Sequence, residues 1–244
     1  MRRLKLTIAY DGTGYHGFQR QKNQPTVQAV LEESLALIFG QPVTFNAAGR
    51  TDAGVHALGQ VVSCSTEGRI PTGNILPAAR SVLPAQVAVI GAAEVGEGFH
   101  ARRSAKGKRY IYKIAEKGIP DPFLANYAWL LGEKLDSEKM NRAAECLIGQ
   151  HDFSSFRAAG ANPASPLRTI YGAAWERREG LLVFAISGDG FLYRMVRNIV
   201  GALAEVGRGQ KSVEEFAGAL AARDRRQAGK TAPPQGLYLE RVFY

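Results

Sequence analysis

The sequence predicts an α+β protein made of two successive halves with the same order of elements, and three observations predict it. Short stretches in which apolar and polar residues alternate are interleaved with longer ones whose apolar side chains recur every three or four positions. These stretches run strand, helix, strand, strand, helix, strand over 1–101, and the order returns over 102–244 with one added helix. No apolar run reaches the length a membrane span needs. A β-α-β-β-α-β order is the ferredoxin-like arrangement. Two such halves are expected to share a mostly antiparallel central sheet, with helices on one face and a basic cleft between the halves. Gly96, Gly98 and the basic run at 101–109 mark the junction.

In the first half a strand is expected over 3–10, followed by a helix over 26–39 that starts at Thr26 after Pro25. That helix buries Val27, Val30, Leu31, Leu35 and Ile38 on one stripe and stops at Gly40 before Pro42. Val43, Phe45 and Ala47 alternate with Thr44 and Asn46, which predicts a strand over 43–48. A strand over 58–65, a helix over 72–82 and a strand over 86–95 complete the half.

The second half opens on a strand over 108–116, in which Tyr112 reads as a core residue. Leu135 and Met140 staple the start of a helix over 137–148, whose buried stripe is Met140, Ala143, Ala144, Leu147 and Ile148. Strands follow over 168–177 and 181–187, then a helix over 191–206 with Leu192, Met195, Val196, Ile199, Val200 and Leu203 inward. On that helix Arg194 lies opposite the stripe and Arg197 at its border, where it can reach an internal carboxylate or form an ordinary salt bridge. Ser212 and Glu215 form a capping box for a helix over 213–222, and a strand over 237–243 ends the half.

Composition narrows the function. The 244 residues are 45% apolar, enough for one large core or two medium ones. Without a signal-peptide core, the chain reads as soluble and cytoplasmic. Cys64 and Cys146 lie far apart and outside any C-x-x-C pair, and His16, His56, His100 and His151 are scattered, so neither a disulfide framework nor a metal site is indicated. Nucleotide-binding loops and the G-x-S-x-G elbow are missing from the sequence. A formal net charge of +9 points instead to a polyanionic partner.

The charge is concentrated. Arg102, Arg103, Lys106, Lys108, Arg109 and Lys113 fall within thirteen residues that hold no acid, a pattern that attracts phosphates through counterion release. Tyr110 follows the run directly and suits stacking against an unpaired base. Against this background Gly49-Arg50-Thr51-Asp52-Ala53-Gly54-Val55-His56 stands out as a small-residue connection between two strands with one acid at its centre. The turn can present Asp52 as a reagent on a rigid scaffold, or the aspartate can cap its own backbone. Tyr10 to Gln21, a glycine-spaced loop with aromatic, amide and guanidinium groups, including Arg20, can wrap an RNA backbone or serve as a plain strand-helix connection.

Five stretches in order, 10–21, 49–57, Lys108-Arg109-Tyr110-Ile111-Tyr112, Asp152-Phe153-Ser154-Ser155-Phe156 and Met195-Val196-Arg197-Asn198-Ile199-Val200-Gly201, resemble the TruA family of tRNA pseudouridine synthases over essentially the whole chain. The resemblance implies isomerisation of uridine at positions 38, 39 and 40 of the tRNA anticodon stem-loop, by a homodimer that needs no cofactor. It also implies that Asp52 is the catalytic aspartate, Arg50 its active-site neighbour, Tyr110 the ring that stacks on the uracil, and Arg197 the partner of the aspartate. Arg20, Arg102, Arg103, Lys106, Lys108 and Arg109 are the expected RNA contacts. Phe18 departs from the family, which has tryptophan there, but keeps an aromatic ring. A non-catalytic RNA-binding module accounts for the charge and for Tyr110, though not for an acid that repels phosphate. A base-excising glycosylase also flips nucleotides and uses a carboxylate.

Overall fold

The structure, a computed structural model, describes residues 1–116, 121–160 and 165–244. It is a mixed α+β fold of two compact units, Met1–Lys106 with Tyr238–Tyr244, and Gly107–Leu237. Among the described residues no helix is long and apolar enough to cross a membrane.

In the first unit β1 (Arg2–Tyr10) pairs antiparallel with β3 (His56–Thr66) and β4 (Val87–Val95), and β2 (Asn46–Ala47) pairs antiparallel with β3, giving the order β4-β1-β3-β2. The period-two pattern of β1 buries Leu4, Leu6, Ile8 and Tyr10. Helices α1 (Val27–Phe39) and α2 (Ile75–Val82) add Leu31, Leu35, Ile75 and Ala79 to the same core. Thr26 caps α1 by accepting a hydrogen bond from the Ala29 amide, and Gly40 ends it at φ 68°, where a left-handed residue is needed. The chain's last strand, Leu237–Phe243, returns to this unit and runs parallel to β3, with Tyr238 opposite His56 and Leu239 opposite Ala57. Sequence order alone groups that strand with the second half.

The second unit begins with β5 (Gly107–Ala115), flanked in parallel by the short β6 (Trp129–Leu130). Helix α3 (Ser137–Glu145) and strand β7 (Gly149–Asp152) precede β8 (Leu167–Arg178) and β9 (Leu181–Gly188), and the antiparallel order is β5-β9-β8-β7. Glu179 and Gly180, at φ 50° and 77°, join β8 to β9 through the positive-φ turn that suits strand twist. Helix α4 (Met195–Gly207) buries Met195, Ile199, Val200 and Leu203 completely, and α5 (Val213–Ala221) carries the capping box between Ser212 and Glu215. The last strand is β10. Tyr112 is fully buried, and its hydroxyl donates to the Pro233 carbonyl at 2.8 Å.

Four expectations are corrected, the first being the helix over 137–148, which ends at Glu145 and leaves Ile148 exposed rather than in the buried stripe. The strand over 43–48 shrinks to Asn46–Ala47, because the Phe45 amide donates to Glu32 Oε1 and the Phe45 carbonyl accepts from Gln28 Nε2, both on α1. The helix over 191–206 starts only at Met195, since Arg194 sits at φ 57° and interrupts the helical run. The helix over 72–82 begins as a 3₁₀ turn, Thr72–Asn74.

Burial pushes the Cys64 thiol up to about 12, while Cys146 is half-buried. One thiol per native chain is therefore expected to react with a disulfide reagent at pH 8, and two after denaturation. Two reactive thiols in the native protein would contradict the packing. Leu203→Ala, in a fully buried position of α4, should lower unfolding free energy by about 2–5 kcal/mol in a denaturant titration.

Candidate active site

The turn carrying Asp52 is gripped by the loop that follows β1. A Cβ on Gly12 would overlap the Val55 carbonyl oxygen, and one on Gly17, at φ 86°, would lie 2.6 Å from the Thr51 oxygen. Only bare Cα atoms let the two backbones approach this closely. Hydrogen bonds then tie them: the Phe18 amide donates to Thr51 O at 3.1 Å, and the Gly54 amide to Tyr15 O at 3.3 Å. Within the turn, the Val55 amide donates to the Asp52 carbonyl at 3.2 Å. From below, the buried Tyr10 hydroxyl meets Thr51 Oγ1 at 2.8 Å, and Gln60 Nε2 donates to Gly49 O at 2.7 Å. Asp52 is half-buried and Arg50 exposed on this fixed turn.

The loop over 10–21 thus acts as scaffold. Phe18 is 1% exposed, its ring 6.1 Å from that of Tyr10, so an aromatic side chain there supports the loop from inside. Arg20 is ion-paired to Glu32 at 3.0 Å and Glu33 at 3.2 Å. His56, which sequence reasoning passed over as one of four scattered histidines, is buried beneath the turn. Its Nδ1 accepts from the Gly12 amide at 3.0 Å, and its ring stacks on Tyr238 at 4.7 Å. Asp11 Oδ1 stands 3.2 Å from the same nitrogen, which cannot both accept and donate. The amide proton is fixed by the backbone, so the hydrogen-bond network assigns Nδ1 as the acceptor. The signal was His56 following the turn directly, seven residues after Gly49.

In the second unit β5 places Lys108, Arg109 and Tyr110 consecutively. Tyr110 is 7% exposed and meets Phe191 edge to face, ring centroids 5.1 Å apart. Arg197, in the third position of α4, is half-buried, and its Nε donates to the Ala232 carbonyl at 2.8 Å. Arg102 and Arg103 are exposed on a turn whose amides donate to His100 Nδ1. The burden of desolvation and the positive charges of Arg103, Arg3 and Arg102 hold the His100 imidazole below its ordinary range, which keeps that acceptor neutral. Lys106 is exposed, while Lys108 and Arg109 are half-buried.

A family model described as tRNA pseudouridine synthase matches residues 6–102 and 143–244. The chain belongs to the tRNA pseudouridine synthase family. Proteins named tRNA pseudouridine synthase A are similar over its full length. That of Thermoanaerobacter sp. (strain X514) is 45% identical over 244 residues, covering 100% of both chains. That of Halalkalibacterium halodurans is 48% identical, covering 97% of this chain and 90% of the relative, and that of Moorella thermoacetica is 47% identical, covering 99% of each. A crystal structure of a Cbf5-Nop10-Gar1 complex aligns with 97% of this chain and 48% of its own at 13% identity and a TM-score of 0.38, too remote to inform the fold. The matched segments of this family member hold the Asp52 turn and the Arg197 helix, whereas Tyr110 falls between them.

Gly12→Ala is expected to destabilise the protein by over about 1 kcal/mol more than Gly14→Ala in thermal unfolding. Both glycines lie in the gripping loop, but a Cβ on Gly14 meets nothing within 4 Å, so that change carries only the strain of a side chain at φ 80°. Equal losses would show that the grip is not what the glycine serves.

Proposed function

We propose that this chain isomerises uridine to pseudouridine at positions 38, 39 and 40 of the tRNA anticodon stem-loop, with Asp52 acting on a flipped-out nucleotide. Its enzyme class, a pseudouridine synthase, follows from family membership. The observation that carries the rest is the placement of one acid, in a chain of net charge +9, on a turn held rigid by Gly12 and Gly17. Family membership leaves no support for a non-catalytic binding module.

The reaction breaks the bond from C1′ to N1, turns the uracil over, joins C5 to C1′ and releases the C5 proton, while N1 takes up a proton. It needs no net oxidation and no phosphate energy, which agrees with a reading that assigns no cofactor. A carboxylate serves this sequence either as a nucleophile or as a base that removes a sugar proton. A turn that cannot drift keeps the carboxylate aligned in both routes. Arg50 is proposed to act beside it, and Arg197 to pair with the aspartate and favour its ionised form.

Extruding a nucleotide costs a few kcal/mol, and stacking on an aromatic ring returns about 1–3 kcal/mol. Tyr110 is the proposed ring, and because it is 7% exposed, stacking requires one of its faces to be uncovered. Arg102, Arg103, Lys106, Lys108 and Arg109 are proposed to supply phosphate contacts. Arg20, whose guanidinium is ion-paired to Glu32 and Glu33, is the sixth proposed contact. A homodimer working in the cytoplasm is part of the same proposal, as is the ferredoxin-like reading of the halves, which the order β4-β1-β3-β2 supports for the first.

Asp52→Asn should retain tRNA binding and lose roughly 10²–10⁴-fold in tritium release from C5-labelled uridine in tRNA. Turnover near that of the parent would sink the assignment, and free uracil as product would mean excision instead. Tyr110→Phe should keep most activity and Tyr110→Ala should lose roughly 10–100-fold, the equivalent of one stacked base. Equal losses would implicate the hydroxyl in proton transfer.

A further inference from the structure

Helix α4 carries Arg197, Gly201 and Glu205 at i, i+4 and i+8, on one face, and all three meet the segment 225–233. A Cβ on Gly201 would overlap the Lys230 carbonyl oxygen, so the segment rests directly on helix backbone. Glu205 Oε1 accepts from the Lys230 amide at 3.2 Å, beside Gly229 at φ 72°. Arg197 closes the series twice over: its carbonyl accepts from the Ala232 amide at 3.0 Å, and its Nε donates to the Ala232 carbonyl at 2.8 Å.

Asn198, fully buried, locks the same strap from the adjacent position. Its Oδ1 accepts from Thr231 Oγ1 at 2.6 Å and from Arg225 Nη2 at 3.1 Å, and its Nδ2 donates to Phe156 O at 2.8 Å. Arg225 Nη1 donates to Gly229 O at 2.8 Å, which fastens the strap to itself. A guanidinium is planar and rigid, so a fixed acceptor on Nε sets one in-plane direction of the group and restricts where both Nη groups can lie.

The geometry points to Gly201 and Asn198 as positioning residues for the isomerisation. They seat the strap, the strap places the Ala232 carbonyl, and that carbonyl orients the Arg197 guanidinium. The inference rests on the proposed pairing of Arg197 with the aspartate and extends it to residues that touch no substrate.

A double-mutant cycle separates positioning from plain stability. Gly201→Ala and Thr231→Val are each made alone and with Arg197→Lys, and kcat on tRNA is measured beside the Kd for tRNA. Each single change should lower kcat by roughly 10–100-fold with Kd unchanged, and should add little once Arg197 is lysine. Thr231→Val preserves side-chain volume and keeps the test alive if Gly201→Ala does not fold. Losses that multiply with that of Arg197→Lys, or an unchanged kcat in folded Gly201→Ala and Thr231→Val, overturn the inference while leaving the role of Arg197 standing. Parental kcat in Arg197→Lys alone removes that role and the inference with it.

Discussion

Two backbones in near contact, at Gly12 against Val55 and Gly17 against Thr51, are the constraint on which the candidate site depends. Any side chain at either glycine would push the turn away, and the amides of Phe18 and Gly54 would lose their carbonyl partners. With the grip in place, the backbone around Asp52 is set by folding. The second unit repeats the device. Gly201 brings the strap against α4, and Gly236 lies where a Cβ would come 2.6 Å from the Tyr112 ring. In both units a proposed functional side chain stands beside a backbone contact that only glycine permits.

What was legible in the sequence was local. Thr26 and Gly40 bound α1, and Ser212 with Glu215 starts α5, because a cap and its partner lie within a few residues of one another. Phe45 shows the limit. Its alternation with Val43 reads as a strand, yet side chains of α1 take its amide and its carbonyl, and no sheet partner is left for them. Strands β6 and β7, of two and four residues, are too short for any period to register. At the site, Asp52 could be singled out because an acid among small residues is conspicuous in a basic chain. Its clamp could not, since Gly12 and Val55 are far apart in sequence and nothing in either stretch names the other. His56 was missed for the same reason, its amide partner lying in the preceding loop.

Charge is divided between tasks. Arg20 is spent on α1, holding the outer end of the gripping loop to Glu32 and Glu33. Arg102 and Arg103 stay exposed on a turn organised by His100, suited to long-range attraction of phosphate. Arg197 is half-buried, with its Nε tied to the Ala232 carbonyl. A uniform count of +9 conceals these differences.

Because β10 lies parallel to β3, with Tyr238 stacked on the histidine that holds Gly12, the first compact unit is assembled from both ends of the sequence. During translation the residues up to Lys106 emerge long before 238–244, and the whole second unit separates them. Closing so large a loop makes this pairing a late event in folding, dominated by non-local contacts. Until Leu237–Phe243 emerges, the histidine that holds Gly12 therefore lacks the ring that stacks on it.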